Sequence, residues 1–274
     1  MFEAHRAALR DRYDLQRVLG RGGMAHVYLG RRLSDEKRVA IKVLRPEFAV
    51  SLGADLFHRE IAFLKDFEHP NILPLLESGE VESSLFYVMP YAEGGSLGDR
   101  LLRVQQLALD EACTVIRQVA AALDYAHGHN VVHRDIKPGN VLFQETQVLL
   151  CDFGVARAII RSGGERLSSS GLLVGTPHYM SPEQGGGTSR LDGRSDIYSL
   201  GCVAYEALTG EPPFEGRSAG AILRKHTSAE PPSLRVVRPE LPQHVEQAVH
   251  AALAKRPDDR PATAGRFAEM LEGR

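Results

Sequence analysis

Two patterns of hydrophobic residues divide this chain. From Tyr13 to Tyr91 the apolar residues form short, β-branched runs that predict strands, most clearly at Val39–Leu44 and Leu85–Met89. A helical spacing interrupts them from about Ala54 to Phe67. The front of the chain is therefore predicted to be a sheet with one helix.

Beyond this front part the apolar spacing is helical. Asp110 is a plausible N-cap for a helix that ends at Gly128, and Ile197–Leu208 is apolar on nearly every side, as a buried helix would be. A last amphipathic helix is marked by Val245, Ala248, Val249, Ala252 and Leu253. The pattern predicts an α+β, bilobal fold: an N-terminal extension over 1–12, a small β-rich N-lobe over 13–91 and a larger α-helical C-lobe over 92–274, with the glycine-bearing stretch 92–96 as the hinge.

Composition narrows the class of protein. With 35 acidic and 33 basic residues in 274, the formal charge is −2, which disfavours nucleic acid as a partner. The three cysteines are widely spaced, no apolar run is long enough for a membrane span, and the N-terminus lacks a signal peptide. We expect a globular, cytoplasmic protein without a membrane segment in this chain.

A glycine-rich stretch, Gly20–Val27, follows the first apolar strand. Glycines let a backbone approach phosphates and point its N–H groups at them, but a plain hairpin explains the same residues. A dinucleotide fold is disfavoured because the chain continues as a strand after the glycines rather than as a helix.

Two buried charges strengthen the interpretation as a nucleotide site. Lys42 lies inside the apolar run Val39–Leu44, next to the small Ala40, which would leave room for a flat ring. Glu60 shares a predicted helical face with apolar residues. Burying an unpaired charge costs on the order of several kcal/mol, so we expect Lys42 and Glu60 to form an ion pair.

The back part carries the candidate reacting groups. The polar stretch His133–Asn140 lies between apolar strands, and Asp152 follows another apolar run. Asn140 and Asp152 offer the oxygen ligands that Mg²⁺ prefers, Asp135 can accept a hydroxyl proton, and Lys137 can offset phosphate charge. A zinc cluster of three nearby histidines is a weaker alternative, since no fourth ligand is close in sequence; these are His127, His129 and His133.

Taken together, these motifs resemble those of the protein kinases from about Tyr13 to the C-terminus. The resemblance also includes Ser181-Pro182-Glu183, Asp196 and Arg260, in the family's order and spacing. The glycine stretch and Gly175–Gln184 look most like the bacterial Ser/Thr kinases of eukaryotic type.

The resemblance implies a role for each matching position. Asp135, Lys137, Lys42 and Glu60 would be catalytic, Asn140 and Asp152 would hold Mg²⁺ (or Mn²⁺), and Glu183 with Arg260 would form a structural ion pair. His133 and Phe153 are better interpreted as packing residues. The implied ATP-binding residues are Leu19, Gly20, Arg21, Gly22, Gly23, Met24, Ala25, His26, Val27, Ala40, Lys42, Met89 (the gatekeeper), Pro90, Ala92 and Leu142. Two of them depart from the family pattern, Ala25 at the third glycine and Pro90 where many relatives have an acid, and neither change removes an expected backbone contact.

Lys137 and Thr176 resemble the Ser/Thr branch of this family, which implies Ser/Thr rather than Tyr as the acceptor on protein substrates. Serines between Asp152 and Glu183, with Ser168 and Ser170 nearest the family's modified positions, predict activation by autophosphorylation beside Arg134; an unmodified serine-rich loop is the alternative. Similar kinases pair through their front lobes and often form the cytosolic domain of a membrane-anchored protein, so both are expectations here. A scaffolding pseudokinase and a small-molecule phosphotransferase remain competing hypotheses.

Overall fold

The computed structural model describes residues 1–46, 57, 61, 64–81, 84–153, 177–188 and 191–274. The chain forms two compact units. Unit 1 contains Met1–Glu68 and Ile72–Glu93, and unit 2 contains His69–Asn71, Gly94–Phe153 and the chain from residue 175 to Arg274. The change from one unit to the other at Glu93 falls inside the stretch predicted as a hinge.

Unit 1 is built on a five-stranded antiparallel sheet. Its strand order is β1-β2-β3-β5-β4, in which neighbours along the chain are mostly neighbours in the sheet. The strands are β1 (Tyr13–Arg21), β2 (Ala25–Arg32), β3 (Arg38–Leu44), β4 (Glu77–Val81) and β5 (Ser84–Pro90). Of the predicted helix over 54–67, the described positions Phe57, Ile61 and Leu64 are helical and buried.

A helix before the sheet, α1 (Phe2–Leu9), was not predicted from the sequence. Its Leu9 joins a hydrophobic core on one face of the sheet. That core takes alternate residues of the strands, including Val39, Ile41 and Val43, which are fully buried. Alternation directs Ala40 and Lys42 to the opposite face, as the sequence predicted.

Unit 2 is mainly helical. Its central helix is α5 (Gly193–Thr209), nearly every residue of which is buried, as the apolar run predicted. A two-stranded hairpin, β6 (Val141–Gln144) and β7 (Gln147–Leu150), accompanies the helices. The other helices are α2 (Leu97–Val104), α3 (Leu109–Gly128), α4 (Pro182–Gly185), α6 (Ala219–Ser228), α7 (Leu234–Val237), α8 (Gln243–Ala252) and α9 (Ala264–Leu271).

Two features of the helices differ from the prediction. Helix α3 begins after Ala108, so Asp110 lies in its first turn and is not the N-cap; a carboxylate there still opposes the positive end of the helix dipole. Helix α8 is not the last, because Thr263 starts α9 by accepting a hydrogen bond from the Arg266 N–H. None of the helices in the described ranges is both long and apolar enough to span a membrane.

Candidate active site

The polar loop between α3 and β6 is held by one buried carboxylate. Asp196, in the first turn of α5, is fully buried and accepts hydrogen bonds of 2.8 Å from the backbone N–H groups of His133 and Arg134. Arg134 has φ 71°, a conformation that costs a non-glycine residue on the order of 1 kcal/mol or more. Asp196 therefore stabilises a strained backbone directly before Asp135.

His127, at the end of α3, completes this anchor. Its Nε2 lies 2.8 Å from Asp196 Oδ2. Burial lowers the pKa of His127, but the hydrogen bond to Asp196 and its negative charge outweigh burial, so the pKa is raised above its ordinary value. The sequence suggests a role for this histidine only as a zinc ligand. Its position in the last turn of a helix, just before the polar loop, is the signal that points to an anchor.

The three histidines are not a metal cluster. His129 Nδ1 lies 2.8 Å from the carbonyl of Tyr125, and His133 Nε2 lies 2.8 Å from the carbonyl of Cys151. In the described part of the chain, no group of three or more His, Cys, Asp or Glu residues is arranged to hold a metal ion. The zinc alternative is thereby without support, because each ring already has a different partner.

Asp135, Lys137 and Asn140 form a compact cluster in the loop. Lys137 Nζ donates to Asp135 Oδ2 at 2.6 Å, and the Asn140 amide donates to the same oxygen at 3.1 Å and to the Asp135 carbonyl at 2.7 Å. A 3-10 turn, Pro138–Asn140, brings Asn140 back onto Asp135. The carboxylate is thus oriented through Oδ2, and Oδ1 lies outside these hydrogen bonds.

Asp152 follows the end of β7, and the backbone just before it is tied to Asn140. The N–H of the preceding residue, Cys151, donates to the carbonyl of Asn140 at 3.0 Å. Asp152 itself has φ 69°, so the chain turns sharply as it leaves the strand. The Asn140 amide nitrogen is used on Asp135, which leaves its oxygen as the group that can bind a cation. An amide oxygen and a carboxylate are ligand types that Mg²⁺ prefers, so the chemistry of Asn140 and Asp152 fits this ion.

Packing explains the two aromatic residues beside these groups. His133 is fully buried, its Nδ1 accepts the Asp135 N–H at 3.2 Å, and its ring meets Phe153 edge-on at 4.5 Å between centroids. His133 thus binds the backbone of Asp135 and of Cys151, and Phe153 packs against its ring, in agreement with the interpretation of both as packing residues.

The segment around α4 is tied to the same loop. Gln184 donates its side-chain amide to the Arg134 carbonyl at 2.9 Å. Glu183 accepts two hydrogen bonds from the Arg260 guanidinium, at 2.7 and 2.8 Å, and one from Ser195 at 2.6 Å. The predicted Glu183–Arg260 ion pair is present, and it joins α4 to the chain before α9.

A further hydrogen bond, from Tyr179 just before α4 to helix α5, was not predicted. The Tyr179 hydroxyl donates to Glu206 on α5 at 2.6 Å. Burial and the charge of Glu206 raise the pKa of Tyr179, so its hydroxyl remains a donor. No local pattern reveals such a pair, because the two residues are 27 positions apart.

In unit 1, the register of the sheet places several predicted nucleotide-binding residues on one face. Lys42 pairs with Val27 on one side and with Tyr87 on the other, and Ala40 pairs with Met89. Lys42 Nζ lies 5.7 Å from the centre of the Tyr87 ring. This face is opposite the core that contains Val39 and Ile41. Glu60, the predicted partner of Lys42, lies outside the described residues.

The glycine-rich turn joins β1 to β2. The Gly22 N–H donates to the Ala25 carbonyl at 2.9 Å, and the Arg45 guanidinium donates to the Gly22 carbonyl at 3.0 Å. A methyl group built on Gly20 or Gly23 would meet no atom within 4 Å, and neither residue has a positive φ. The fold itself therefore does not require glycine there, which fits close approach of a ligand.

The other predicted nucleotide-binding residues are distributed over both units. Leu19, Arg21, Met24 and His26 belong to the glycine-rich turn and its strands, and Pro90 and Ala92 follow on β5 and after it. Leu142, on β6, belongs to unit 2 and is half-buried. Their roles as ligand contacts stay predictions. The predicted phosphorylation sites near Ser168 to Ser170 lie outside the described residues, as do Ser162 and Thr176 of the same segment.

Comparison with known proteins agrees with this arrangement. The model of the family described as "Protein kinase domain" matches residues 13–271. The serine/threonine-protein kinase PknB of Mycolicibacterium smegmatis is 40% identical over 266 residues, which cover 93% of this chain and 42% of the relative. PrkC of Bacillus subtilis is 38% identical over 258 residues, covering 93% and 39%. The chain thus spans about two fifths of the length of these relatives.

A solved structure shows the same fold. The crystal structure of Rad53 1-466 in complex with AMP-PNP superposes with a TM-score of 0.78 at 23% identity, over 96% of this chain and 66% of that one. At this identity the likeness concerns the fold alone. Because the family model covers almost the whole chain and the loop geometry agrees with it, this chain belongs to the protein kinase family.

Proposed function

We propose that this chain is a serine/threonine protein kinase that transfers the γ-phosphate of ATP to hydroxyl groups of protein substrates. The observation that carries the proposal is the cluster of Asp135, Lys137 and Asn140 on a loop anchored by Asp196. An oriented carboxylate beside a lysine can accept the proton of an attacking hydroxyl while the ammonium offsets phosphate charge. The names of the relatives support Ser/Thr as acceptor.

Asp135 is the residue that orients and deprotonates the acceptor hydroxyl. Its Oδ2 is held by Lys137 and Asn140, so its other oxygen is directed to the substrate. Lys137 would contact the γ-phosphate. Both side chains are partly exposed, at 27% each, which a protein substrate requires.

Asn140 and Asp152 would hold Mg²⁺, with Mn²⁺ as an alternative ion of similar ligand preference. When bound, the ion offsets the charge of the ATP phosphates. In unit 1, Lys42 would bind phosphate oxygens with Glu60 as its partner, and the glycine-rich turn would donate backbone N–H groups. Ala40 and Met89 share the Lys42 face of the sheet, where the adenine would lie.

Three finer statements belong to the same proposal. Autophosphorylation at Ser168 or Ser170 would order the activation segment by pairing a phosphate with Arg134. Two copies would pair through their front lobes for this reaction. The protein would act in the cytoplasm, as the cytosolic part of a membrane-anchored kinase, which agrees with the greater length of the relatives.

The decisive assay follows transfer of labelled γ-phosphate to the chain itself and to a generic basic protein, with Mg²⁺ present. We expect transfer by the wild type and loss of about three orders of magnitude or more in Asp135→Asn, by analogy with the loss of other general bases. Equal transfer by the variant would contradict the role of Asp135. Nucleotide binding without any transfer would favour the pseudokinase, and transfer only to small molecules would favour the third hypothesis.

The finer statements have their own tests. A variant with alanine at Ser168, Ser169 and Ser170 that kept full activity would refute regulation by these serines. Sedimentation at rising protein concentration would detect front-lobe pairing, and a monomer at all concentrations would refute it.

A further inference from the structure

The N-terminal helix α1 precedes the family match, yet it is packed into unit 1. Three of its residues face inward: Leu9 and His5 are buried, at 3% and 7% exposure, and Phe2 packs against the same core. The rest of the helix is exposed. This helix therefore contributes a defined inner face to the sheet.

That inner face contacts one residue of β2 in particular. His5 Nδ1 and the Tyr28 hydroxyl are 2.9 Å apart, and their rings meet edge-on at 5.6 Å between centroids. Phe2 lies 5.5 Å from the same ring. Tyr28 is 1% exposed, and His5 supplies a hydrogen-bond partner to its buried hydroxyl.

Tyr28 leads directly to the glycine-rich turn. The His26 ring stacks on the Tyr28 ring, with an angle of 7° between the planes and 6.3 Å between centroids. His26 pairs with Arg21 at the last rung of the β1–β2 ladder, immediately before the turn. A continuous row of rings, His5, Tyr28 and His26, thus runs from α1 to the base of the turn.

The turn has few contacts of its own that could hold it. Methyl groups built on Gly20 and Gly23 would meet nothing within 4 Å, so the turn is not packed around these positions. From the β3 side, Arg45 holds it through Gly22 and Met24. A second support lies on the core face of the sheet, where Tyr28 and His26 of β2 continue the row from α1.

We infer that α1 positions the glycine-rich turn through the row His5, Tyr28 and His26, and that His5 is a positioning residue for nucleotide binding. This inference rests on the proposed function for its consequence, namely ATP affinity. The support that α1 gives to the glycine-rich turn does not itself require bound nucleotide. Loss of His5 leaves the Tyr28 hydroxyl buried without this partner and lets the base of the turn move.

The experiment compares His5→Ala with the wild type of the full 274-residue chain. Arg6→Ala is the matched control, because Arg6 is the next residue on the same helix and is exposed. His5→Gln tests rescue, since a glutamine amide can still bond the Tyr28 hydroxyl. The measurements are amide hydrogen exchange over residues 20–27 without nucleotide, the Kd of a non-hydrolysable ATP analogue with MgCl₂ by calorimetry, and kcat and KM for ATP.

We expect faster exchange in the turn of His5→Ala and a rise of about fivefold in Kd and in KM for ATP, the factor that one buried hydrogen bond represents. The kcat at saturating ATP and all values of Arg6→Ala should stay within about twofold of the wild type. His5→Gln should recover most of the change.

Two results would overturn the inference. One is unchanged exchange in the turn of His5→Ala. The other is unchanged Kd and KM together with a lower Tm, which would make α1 a packing element only. Failure of the proposed function looks different: the wild type itself would not bind the analogue, while the exchange comparison would still decide whether α1 braces the turn.

Discussion

The ion pair between Glu183 and Arg260 can be tested by removing its acid. Arg260 is buried, with its side chain at 0% exposure, and all five of its N–H donors are used. Two bind Glu183, and three bind the backbone carbonyls of Arg194, Ala254 and Lys255. The change Glu183→Ala would leave the guanidinium charge buried with carbonyl dipoles as its remaining hydrogen-bond partners.

Loss of one partner of a buried ion pair costs about 3–5 kcal/mol, because the other charge stays desolvated and uncompensated. In a chain of this size that corresponds to a fall in Tm of roughly 10 °C. Burial raises the pKa of Glu183, but the hydrogen bonds from Arg260 and Ser195 outweigh it, and the net pKa is lowered. The ion pair therefore stabilises the folded protein above the ordinary carboxyl pKa. This stabilisation is lost as the pH falls through the lower pKa that Glu183 has in the folded state.

Thermal and urea unfolding of Glu183→Ala at pH 7 measures this cost. The matched control is Glu269→Ala, which removes the acid of an exposed pair with Arg266 at 2.9 Å; we expect less than about 1 kcal/mol there. The difference between the variants should also narrow in acid, where Glu183 becomes protonated. If Glu183→Ala were no more destabilising than Glu269→Ala, the reasoning from burial and saturated donors would be refuted.

Three further outcomes follow from the structure of unit 2. Asp196→Asn should cut kcat by about tenfold or more, since an amide cannot accept from both loop N–H groups and His127; steady-state kinetics unchanged from wild type would contradict the anchor. Burial, and then nearby positive charge, lower the pKa of His226 to about 4. The wild type should therefore lose stability as the pH falls from about 6.5 to 4, because the unfolded chain takes up the proton first. Urea unfolding of His226→Gln should show a smaller loss over the same pH range. In Gly94→Ala the new methyl would lie 2.6 Å from the Phe143 carbonyl oxygen, so its Tm should drop, whereas Gly128→Ala meets nothing within 4 Å and should not be destabilised; equal Tm values would refute this.

Patterns that are local in sequence predicted much of the fold. The alternation in β3 placed Ala40 and Lys42 opposite Ile41 without knowledge of the other strands, because successive side chains on a strand point to opposite faces. The run Ile197–Leu208 predicted a buried helix, since it has no polar face to turn to solvent. Motif order also predicted the Glu183–Arg260 pair, through resemblance to a family.

Other features could not be read from local patterns. Helix α1 becomes part of the fold through contacts with residues distant in sequence: Leu9 and Phe2 pack against the core of the sheet, and His5 and Phe2 contact Tyr28. The N-terminus of α3 was misplaced because Ala108 has no side chain that caps a helix, whereas Asp110 has one. In both cases the deciding contacts are tertiary or are made by the backbone.

The sequence by itself determined the division into a strand-rich front and a helical remainder, and the chemical groups available for phosphoryl transfer. The local sequence is sufficient for both, because a hydrophobic period and a motif each extend over only a few residues. The tertiary structure decided how those groups are held: Asp196 reaches a loop some 60 residues earlier, with separations of 62 and 63 positions, and accepts the hydrogen bonds that stabilise Arg134 at φ 71°. His127 and Asp196 acquire their roles only when α3 and α5 pack together, since a buried carboxylate selects its donors by distance in space and not along the chain.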